Sequence, residues 1–452
     1  MNKVDNDELL HRMHETAENT TGYQRINALF DAGTFNEIDG FAKSGENLAE
    51  VITGYGTMEG CSAFIFSQNK DVNGGALSKA QAAKIKKIYN LALKTGTPII
   101  GIYDSIGGHL TEDSDNFSAY GNVLANANEL SGVVPQISLI LGQCIGTSAM
   151  IAASADIVVM TGDGVLTIDM NGENGSAEEA AKMGVCHIIA EDEQDAIASV
   201  RKLIALLPSN NLSGVPVLEM QVISDERELS ADSDMHTILS AICDNDSFVE
   251  LGNRFGSSSI TGFAEIDGST TGIVALSGVI DADSCSKAAR FIRFCDAFSL
   301  PIVTFVNAEK FSSLREASKL SSAYSEATTG KITVITGSAY GSVFIAVAGC
   351  TVNSDYTMAW PEAVVSPFAP ETAAVFQWNS RLIGSEHTDE DREKMVEEYK
   401  ATKASPFTVA ADGFIEDIVR PGDTRIRIIA SLQMLSEKRV SGPSKKHSNI
   451  QI

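Results

Sequence analysis

Two segments of this chain join an alternating apolar run to a glycine and then to small, helix-compatible residues. In the first, QISLILGQCIG (Gln136–Gly146), we read a strand Ile137–Leu141 ending at Gly142. A turn Cys144-Ile145-Gly146-Thr147-Ser148 and a helix carrying Ala149, Ala152, Ala153 and Ala155 follow it. In the second, KITVITGSAYG (Lys331–Gly341), the same order leads into Tyr340-Gly341-Ser342-Val343-Phe344. Backbone N–H groups at a helix start lack intrahelical acceptors and sit at the positive end of its dipole. They can therefore stabilise an enolate or thioester oxyanion, each such donor being worth roughly 3–4 kcal/mol of barrier. Two turns of this kind suit a reaction with two carbonyls. A third candidate is VNGGALSKAQ (Val72–Gln81), where Gly74 and Gly75 permit close backbone approach before a helix. Its counterpart, GVIDADSCSK (Gly278–Lys287), has Asp281 and Asp283 in place of the paired glycines.

Other reactive side chains point to no further chemistry. Cys144 has no histidine paired with it in sequence and reads as a small buried thiol. His109 and His187 read as packing or surface residues, and Lys84, Lys86 and Lys87 as a solvated helix face. The seven cysteines are odd in number, scattered and without a CxxC pair, which argues against a disulfide framework or a zinc site and for a reducing, cytoplasmic setting. With 34 Lys plus Arg against 59 Asp plus Glu, the net charge of -25 disfavours nucleic acid and anionic membrane as partners. The N-terminal MNKVDNDELLHRMHE lacks the apolar core of an export signal. The apolar stretch from Val133 to Met160 is interrupted by Pro135, Gln136, Gln143 and Asp156, so it reads as a buried strand and helix, not a membrane span.

The elements that must position these residues occur twice. DAGTFNEI (Asp31–Ile38) and TGYGTMEG (Thr53–Gly60) recur as DNDSFVEL (Asp244–Leu251) and TGFAEIDG (Thr261–Gly268). KIKKIYNLALKTGTPIIGI (Lys84–Ile102) matches KAARFIRFCDAFSLPIVTF (Lys287–Phe305), with the same spacing from the opening Lys to the Pro before the next strand. Three matched blocks in one order imply an internal duplication. Ile85, Ile88, Leu91 and Ala92 give the first helix an apolar face, and Phe291, Phe294, Cys295 and Phe298 do so in the second. Strands alternating with helices predict an α/β chain of two similar domains, 1–220 and 221–452, joined across the polar stretch Pro208–Asp234.

These blocks also carry a resemblance. RINALFDAGTF, VITGYGTMEG, VNGGALSKAQAAKIKKIYNLALKTGTPIIGIYDS, GVVPQISLILGQC, KAARFIRFCDAF, AYSEATTGKITVIT, MAWPEA and the tail KKHSNIQI resemble the carboxyltransferase subunit of biotin-dependent acyl-CoA carboxylases and decarboxylases. The likeness is to the propionyl-CoA carboxylase beta and methylmalonyl-CoA decarboxylase alpha type, and it runs from about Gln24 to the C-terminus. It implies two crotonase-like domains related by duplication. The implied reaction is carboxyl transfer between biotin, borne on a separate carrier protein, and a small acyl-CoA, without a metal. It also implies a biotin carboxyl carrier protein, biotin carboxylase or decarboxylase subunits, and a homo-oligomer, either a dimer or a trimer of dimers. A membrane would be met only indirectly, through a decarboxylase complex. Carried over by position, one oxyanion pocket falls on Gly146 and Thr147 and the other on Ser342 and Val343, with Gly74, Gly75, Ala76, Gly341 and Ile345 around the substrate. Which pocket serves biotin stays open.

The chain departs from the family pattern where that pattern is most specific. Thr147 and Ser342-Val343 replace a Gly and a Gly-Ala pair, and a β-branched residue at positive φ would be strained. Ile345 occupies the position that varies with acyl chain, DSIGGHLTED brings in Ile106 and His109, and the loops Thr167–Ser176 and Asn307–Leu320 are short. The alternative expectation is a catalytically weakened structural paralogue that pairs with an active carboxyltransferase chain.

Overall fold

The computed structural model describes residues 18–169, 174–217, 229–230, 232–349, 353–382, 388–440 and 444–450. Residues 218–228 and 231 of the polar stretch Pro208–Asp234, and residues 170–173 of the segment Thr167–Ser176, lie outside them. The chain divides into two units, Met1–Pro216 and Val217–Ile452.

The first unit opens with helix α1 (Thr21–Leu29) and short strand β1 (Asn36–Glu37). Strands β2 (Val51–Met58) and β3 (Cys61–Gln68) form an antiparallel hairpin. Helix α2 (Lys79–Thr95) and strand β4 (Ile99–Ser105) follow, then helix α3 (Asp115–Leu130), strand β5 (Gln136–Ile145) and helix α4 (Thr147–Ala153). The unit closes with β6 (Ile157–Thr161), β7 (Val165–Thr167), β8 (Ile188–Ala190) and helix α5 (Glu193–Leu206). The sheet order is β1-β2-β3-β4-β5-β6-β8, with β7 alongside the outer end of β5. From β3 onward the pairings are parallel, as helical crossovers require.

Helix α2 shows why the sequence folds as it does. Ser78 caps it by accepting the Gln81 N–H at 3.1 Å, and Gly96 ends it in the left-handed region at φ 64°. Ile85, Ile88 and Ala92 bury its inner face, while Leu91 is only partly buried. Burying each isoleucine contributes about 1.5–3 kcal/mol.

The second unit repeats this plan. Helix α6 (Met235–Ile242) precedes β9 (Val249–Leu251), the hairpin β10 (Ser259–Ile266) and β11 (Ser269–Ile280), helix α7 (Ala282–Ala297) and β12 (Ile302–Phe311). Helix α8 (Leu314–Glu326), β13 (Lys331–Tyr340), β14 (Tyr356–Ala359), β15 (Val364–Ser366) and β16 (Asp417–Ile418) follow. The order β9-β10-β11-β12-β13-β14-β16, with β15 beside β13, reproduces that of the first sheet.

Registers align the two units residue by residue. Ile99 pairs with Gln136 as Ile302 pairs with Lys331, and Ser105 pairs with Cys144 as Ala308 pairs with Ala339. Both pairs of strands carry an irregularity at the same place, between Tyr103 and Ser105 and between Val306 and Ala308. The duplication therefore extends to a local distortion of the kind often found beside active sites.

Candidate functional site

Strand β5 runs further than its sequence suggested. It passes Gly142 and continues to Ile145, because its outer end leaves β6 and pairs with β7 through Gln143↔Val165, Cys144↔Leu166 and Ile145↔Thr167. Cys144 and Ile145 thus belong to the strand, the turn is Gly146, and Ala155 lies beyond the end of α4. Strand β13 likewise continues to Tyr340, with Ser338↔Val364 and Tyr340↔Ser366.

Each turn is set by one glycine. Gly146 has φ 63° and Gly341 φ 46°. The Gly146 N–H donates to the Thr167 carbonyl at 2.9 Å, and the Gly341 N–H donates to the Ser366 carbonyl at 2.8 Å. Those two amides hold the turn against the sheet. The next two N–H groups, of Thr147 and Ser148 and of Ser342 and Val343, begin the helical turns, where no intrahelical acceptor exists. In each pair the first side chain is exposed and the second buried. The structure thus aligns Thr147-Ser148 with Ser342-Val343, whereas sequence placed the first pocket one residue earlier, on Gly146 and Thr147.

The strain that a positive φ would bring at Thr147 or Val343 does not arise, nor does Ser342 take that conformation. None of them has positive φ, and Val343 sits at φ -66° and ψ -52°. The left-handed conformation falls on Gly146 and Gly341, which the chain retains. Beyond the second turn, Phe344–Ala348 forms a π-helical turn, and buried Asn353 donates to the carbonyls of Ile345 (3.2 Å) and Ala346 (2.6 Å). Such turns recur at functional sites. Ile345 is 60% exposed there.

The Gly74–Ala76 loop lies in the first unit, beside the end of β4. Asn73, Gly74 and Gly75 have φ of 49°, 63° and 69°. A Cβ on Gly75 would come within 2.5 Å of the Asp104 carbonyl oxygen, so only glycine fits there. Ile106 N–H donates to Gly74 O, and Leu77 N–H to Gly107 O, so the loop docks along the segment that follows β4. Fully buried Glu50 accepts from the Ser78 hydroxyl at 2.6 Å and from Asn73 Nδ2 at 2.8 Å. Buried Gln81 donates to the carbonyls of Gly75 and Ala76, and its own Oε1 accepts from Gln68 Nε2. Sequence reading missed Glu50, Gln68 and Gln81. The available signal was three polar residues bordering apolar runs. In the second unit Asp281 instead caps α7, accepting the Ser284 N–H at 2.7 Å.

The remaining candidates separate cleanly. Cys144 is wholly buried, and burial pushes its thiol pKa upward, away from thiolate chemistry. His187 Nδ1 accepts the Val158 N–H at 3.0 Å, a structural role. His109 lies near the loop, with Nδ1 2.9 Å from the Thr111 hydroxyl and Nε2 3.9 Å from Glu50. Lys86 and Lys87 are exposed, as expected, and bond Asn122 and Asp39. Lys84 is not solvated: it is 4% exposed, its Nζ donates to Val51 O at 2.8 Å, and burial lowers its pKa. It lines a cavity of about 280 Å³ that adjoins the loop at Val72 and Asn73. Among the described residues no cluster of His, Cys, Asp and Glu is arranged to hold a metal, and no helix is long and apolar enough to cross a membrane.

The first unit therefore brings Gly74–Ala76 and the Gly146 turn together at the ends of adjacent strands. The second groups Gly341, Ser342, Val343 and Ile345. Comparison with known proteins gives this arrangement a context. Residues 14–450 match the family described as the carboxyl transferase domain. The chain is 35% identical to the carboxyltransferase subunit of propionyl-CoA carboxylase from Haloferax mediterranei, over 95% of this chain and 93% of that one. It is also 35% identical to methylmalonyl-CoA decarboxylase subunit alpha from Veillonella parvula, over 95% and 92% of the two chains. The crystal structure of transcarboxylase 12S with hydrolysed methylmalonyl-CoA bound superposes with a TM-score of 0.89 at 31% identity, covering 98% of this chain and 95% of that one.

Proposed function

The chain belongs to the carboxyl transferase family, and from that premise we propose that it moves a carboxyl group between biotin on a carrier protein and the α-carbon of a small acyl-CoA. The observation that carries this reading is the pair of equivalent turns at Gly146 and Gly341. Each leaves two N–H groups free of intrahelical acceptors while its glycine amide is tied to the sheet.

The N–H groups of Thr147 and Ser148, or of Ser342 and Val343, would hold the thioester oxygen as it gains negative charge in the enolate. Fixed donors that need not reorient as charge develops are the strongest single aid to such a step. The other pair would face the ureido oxygen of biotin. Biotin, when bound, supplies N1 as donor or acceptor of the carboxyl group. Gly74, Gly75 and Ala76 would shape the entrance for the acyl-CoA in the first unit, and Gly341 and Ile345 would shape the substrate surface of the second unit's own turn. No side chain need act as acid or base, which agrees with the structural roles of Cys144 and His187.

The partners of this reading are a biotin carboxyl carrier protein and biotin carboxylase or decarboxylase subunits, with several copies of this chain assembled together. The setting is the cytoplasm, and the six described cysteines, all free, suit its reducing conditions. One observation favours the alternative of a carrier-docking structural subunit: β12 passes into α8 with only Ser312 and Ser313 between them, so the Asn307–Leu320 segment has no room for a long substrate loop. The purified chain incubated with methylmalonyl-CoA or malonyl-CoA and a biotinylated carrier separates the two. Decarboxylation or carboxyl transfer is the expected result. Carrier binding without turnover or acyl-CoA binding would establish the structural role.

A further inference from the structure

Helix α1 buries Gly22, Arg25, Ile26 and Leu29, and helix α6 buries Met235, Ile238, Leu239 and Ile242. Counted back from the matched residues Asp31 and Asp244, these are the same four positions, and Arg25 stands where the second unit has Ile238. The strand registers likewise align Asp104 with Asn307. Both face a glycine of the neighbouring strand: a Cβ on Gly142 would lie 2.1 Å from Asp104 Oδ1, and one on Gly337 2.3 Å from Asn307 Oδ1. One fold thus accommodates an Arg–Asp pair in its first copy and Ile with Asn in its second. A buried ion pair seldom outweighs an apolar replacement in stability. The fold does not require the charges.

The pair instead joins the two candidate site elements. Arg25, 3% exposed, donates to Asp104 Oδ2 at 2.7 Å, to the Leu141 carbonyl of β5 at 3.2 Å and to Glu193. Burial works against its charge, but the bonds to Glu193 and Asp104 prevail and raise its pKa. Lys70 Nζ lies 3.3 Å from the same Asp104 oxygen. The Asp104 N–H donates to Gln68 Oε1 at 3.2 Å, and Gln68 bonds Gln81, which holds the carbonyls of Gly75 and Ala76. The Asp104 carbonyl is also the atom that bars a side chain at Gly75. In the second unit the registers and the helix alignment put Leu276 and Ser284 at the positions of Gln68 and Gln81. The network is missing there, and Gly278, at the position of Gly75, keeps φ 63° but has open space where a Cβ would stand, so the close approach is missing with it.

We infer that Asp104, locked by Arg25, is a positioning residue that fixes the Gly74–Ala76 loop relative to the Gly146 turn. The inference rests on the proposed role of those two elements in handling the acyl-CoA. Its test transplants the second unit's residues: R25I/D104N, with R25K alone as the conservative variant. Thermal unfolding, kcat, KM and amide hydrogen exchange at Gly75–Ala76 and at Gly146, whose N–H groups are bonded to Val72 O, Asn73 O and Thr167 O, are measured against the unaltered chain. The expected result is a melting temperature within a few degrees, exchange at both segments at least tenfold faster, and kcat at least tenfold lower with KM changed less than threefold. Displacing bound groups by about 1 Å is enough for such a loss. R25K, which keeps the charge beside Asp104 but not the fork to Leu141, should fall in between. Unchanged exchange, unchanged kcat in an active enzyme, or a variant that no longer folds would overturn the inference, the last because the pair would then belong to the fold. If the unaltered chain transfers no carboxyl group, the proposed function fails, and the exchange rates decide this inference alone.

Discussion

Replacing Thr147 by proline deletes one backbone donor and little else. Thr147 is the first residue of α4, where its N–H has no intrahelical acceptor, and proline is favoured at that position because its fixed φ suits a helix start. The preceding amide is not a substitute target: Gly146 N–H is already spent on Thr167 O at 2.9 Å, and proline cannot adopt the Gly146 φ of 63°. Loss of one oxyanion donor costs about 2.7–4 kcal/mol. At about 1.36 kcal/mol per tenfold, that is a fall in kcat of roughly 100- to 1,000-fold. Thr147→Ala, which keeps the N–H and trims an exposed side chain, should stay within about threefold of the unaltered rate on the same reasoning. The assay is single-turnover loss of carboxylate from methylmalonyl-CoA in the presence of biotinylated carrier, with circular dichroism to confirm folding. A folded Thr147→Pro protein that keeps its kcat within about threefold would remove this amide from the oxyanion site.

Three further outcomes follow from the same structure. Ile345→Asp, which installs the residue that the propionyl type has at this position, should raise the preference for propionyl-CoA over acetyl-CoA, a difference of one methylene worth about 1–3 kcal/mol, and an unchanged ratio of kcat/KM would take Ile345 out of the substrate site. Asp244 is fully shielded and accepts from Gly268 N–H at 2.8 Å and Arg425 Nη2 at 2.6 Å, so Asp244→Ala should cost about 3 kcal/mol in denaturant unfolding. A loss below about 1 kcal/mol, typical of exposed pairs, would contradict that. Burial lowers the Lys287 pKa from 10.5 to about 8 against the opposing pull of Glu250 and Asp281. The unfolded chain then holds more protons between those two values, so this residue makes stability rise with pH from about 8 to 10.5. The unfolding midpoint of Lys287→Met should lack that rise, and identical pH slopes in both proteins would refute the assignment.

The duplication was legible because local patterns carry it. The matched helix faces around Ile85 and Phe291, and the strands entering Gly146 and Gly341, need only apolar periodicity and glycine to be recognised. Strand ends were less legible. The extension of β5 past Gly142 depends on β7, whose pairing is made across a loop and leaves no periodic trace. Lys84 was misjudged for a related reason: its charge suits a solvated helix face, but the carbonyl of Val51 meets it inside.

By itself the sequence determined the repeated α/β plan, the two glycine-headed turns and the paired glycines at Gly74 and Gly75, since propensity, periodicity and the steric freedom of glycine act over a few neighbouring residues. The tertiary structure alone decided which atoms those features offer. It assigned the Gly146 amide to the sheet, left the Thr147 amide at the open helix start, and brought Arg25 to Asp104 across 79 positions of chain. Contacts of that kind arise only when distant strands close in register, and a buried charge finds its partner through that closure and not through spacing along the chain.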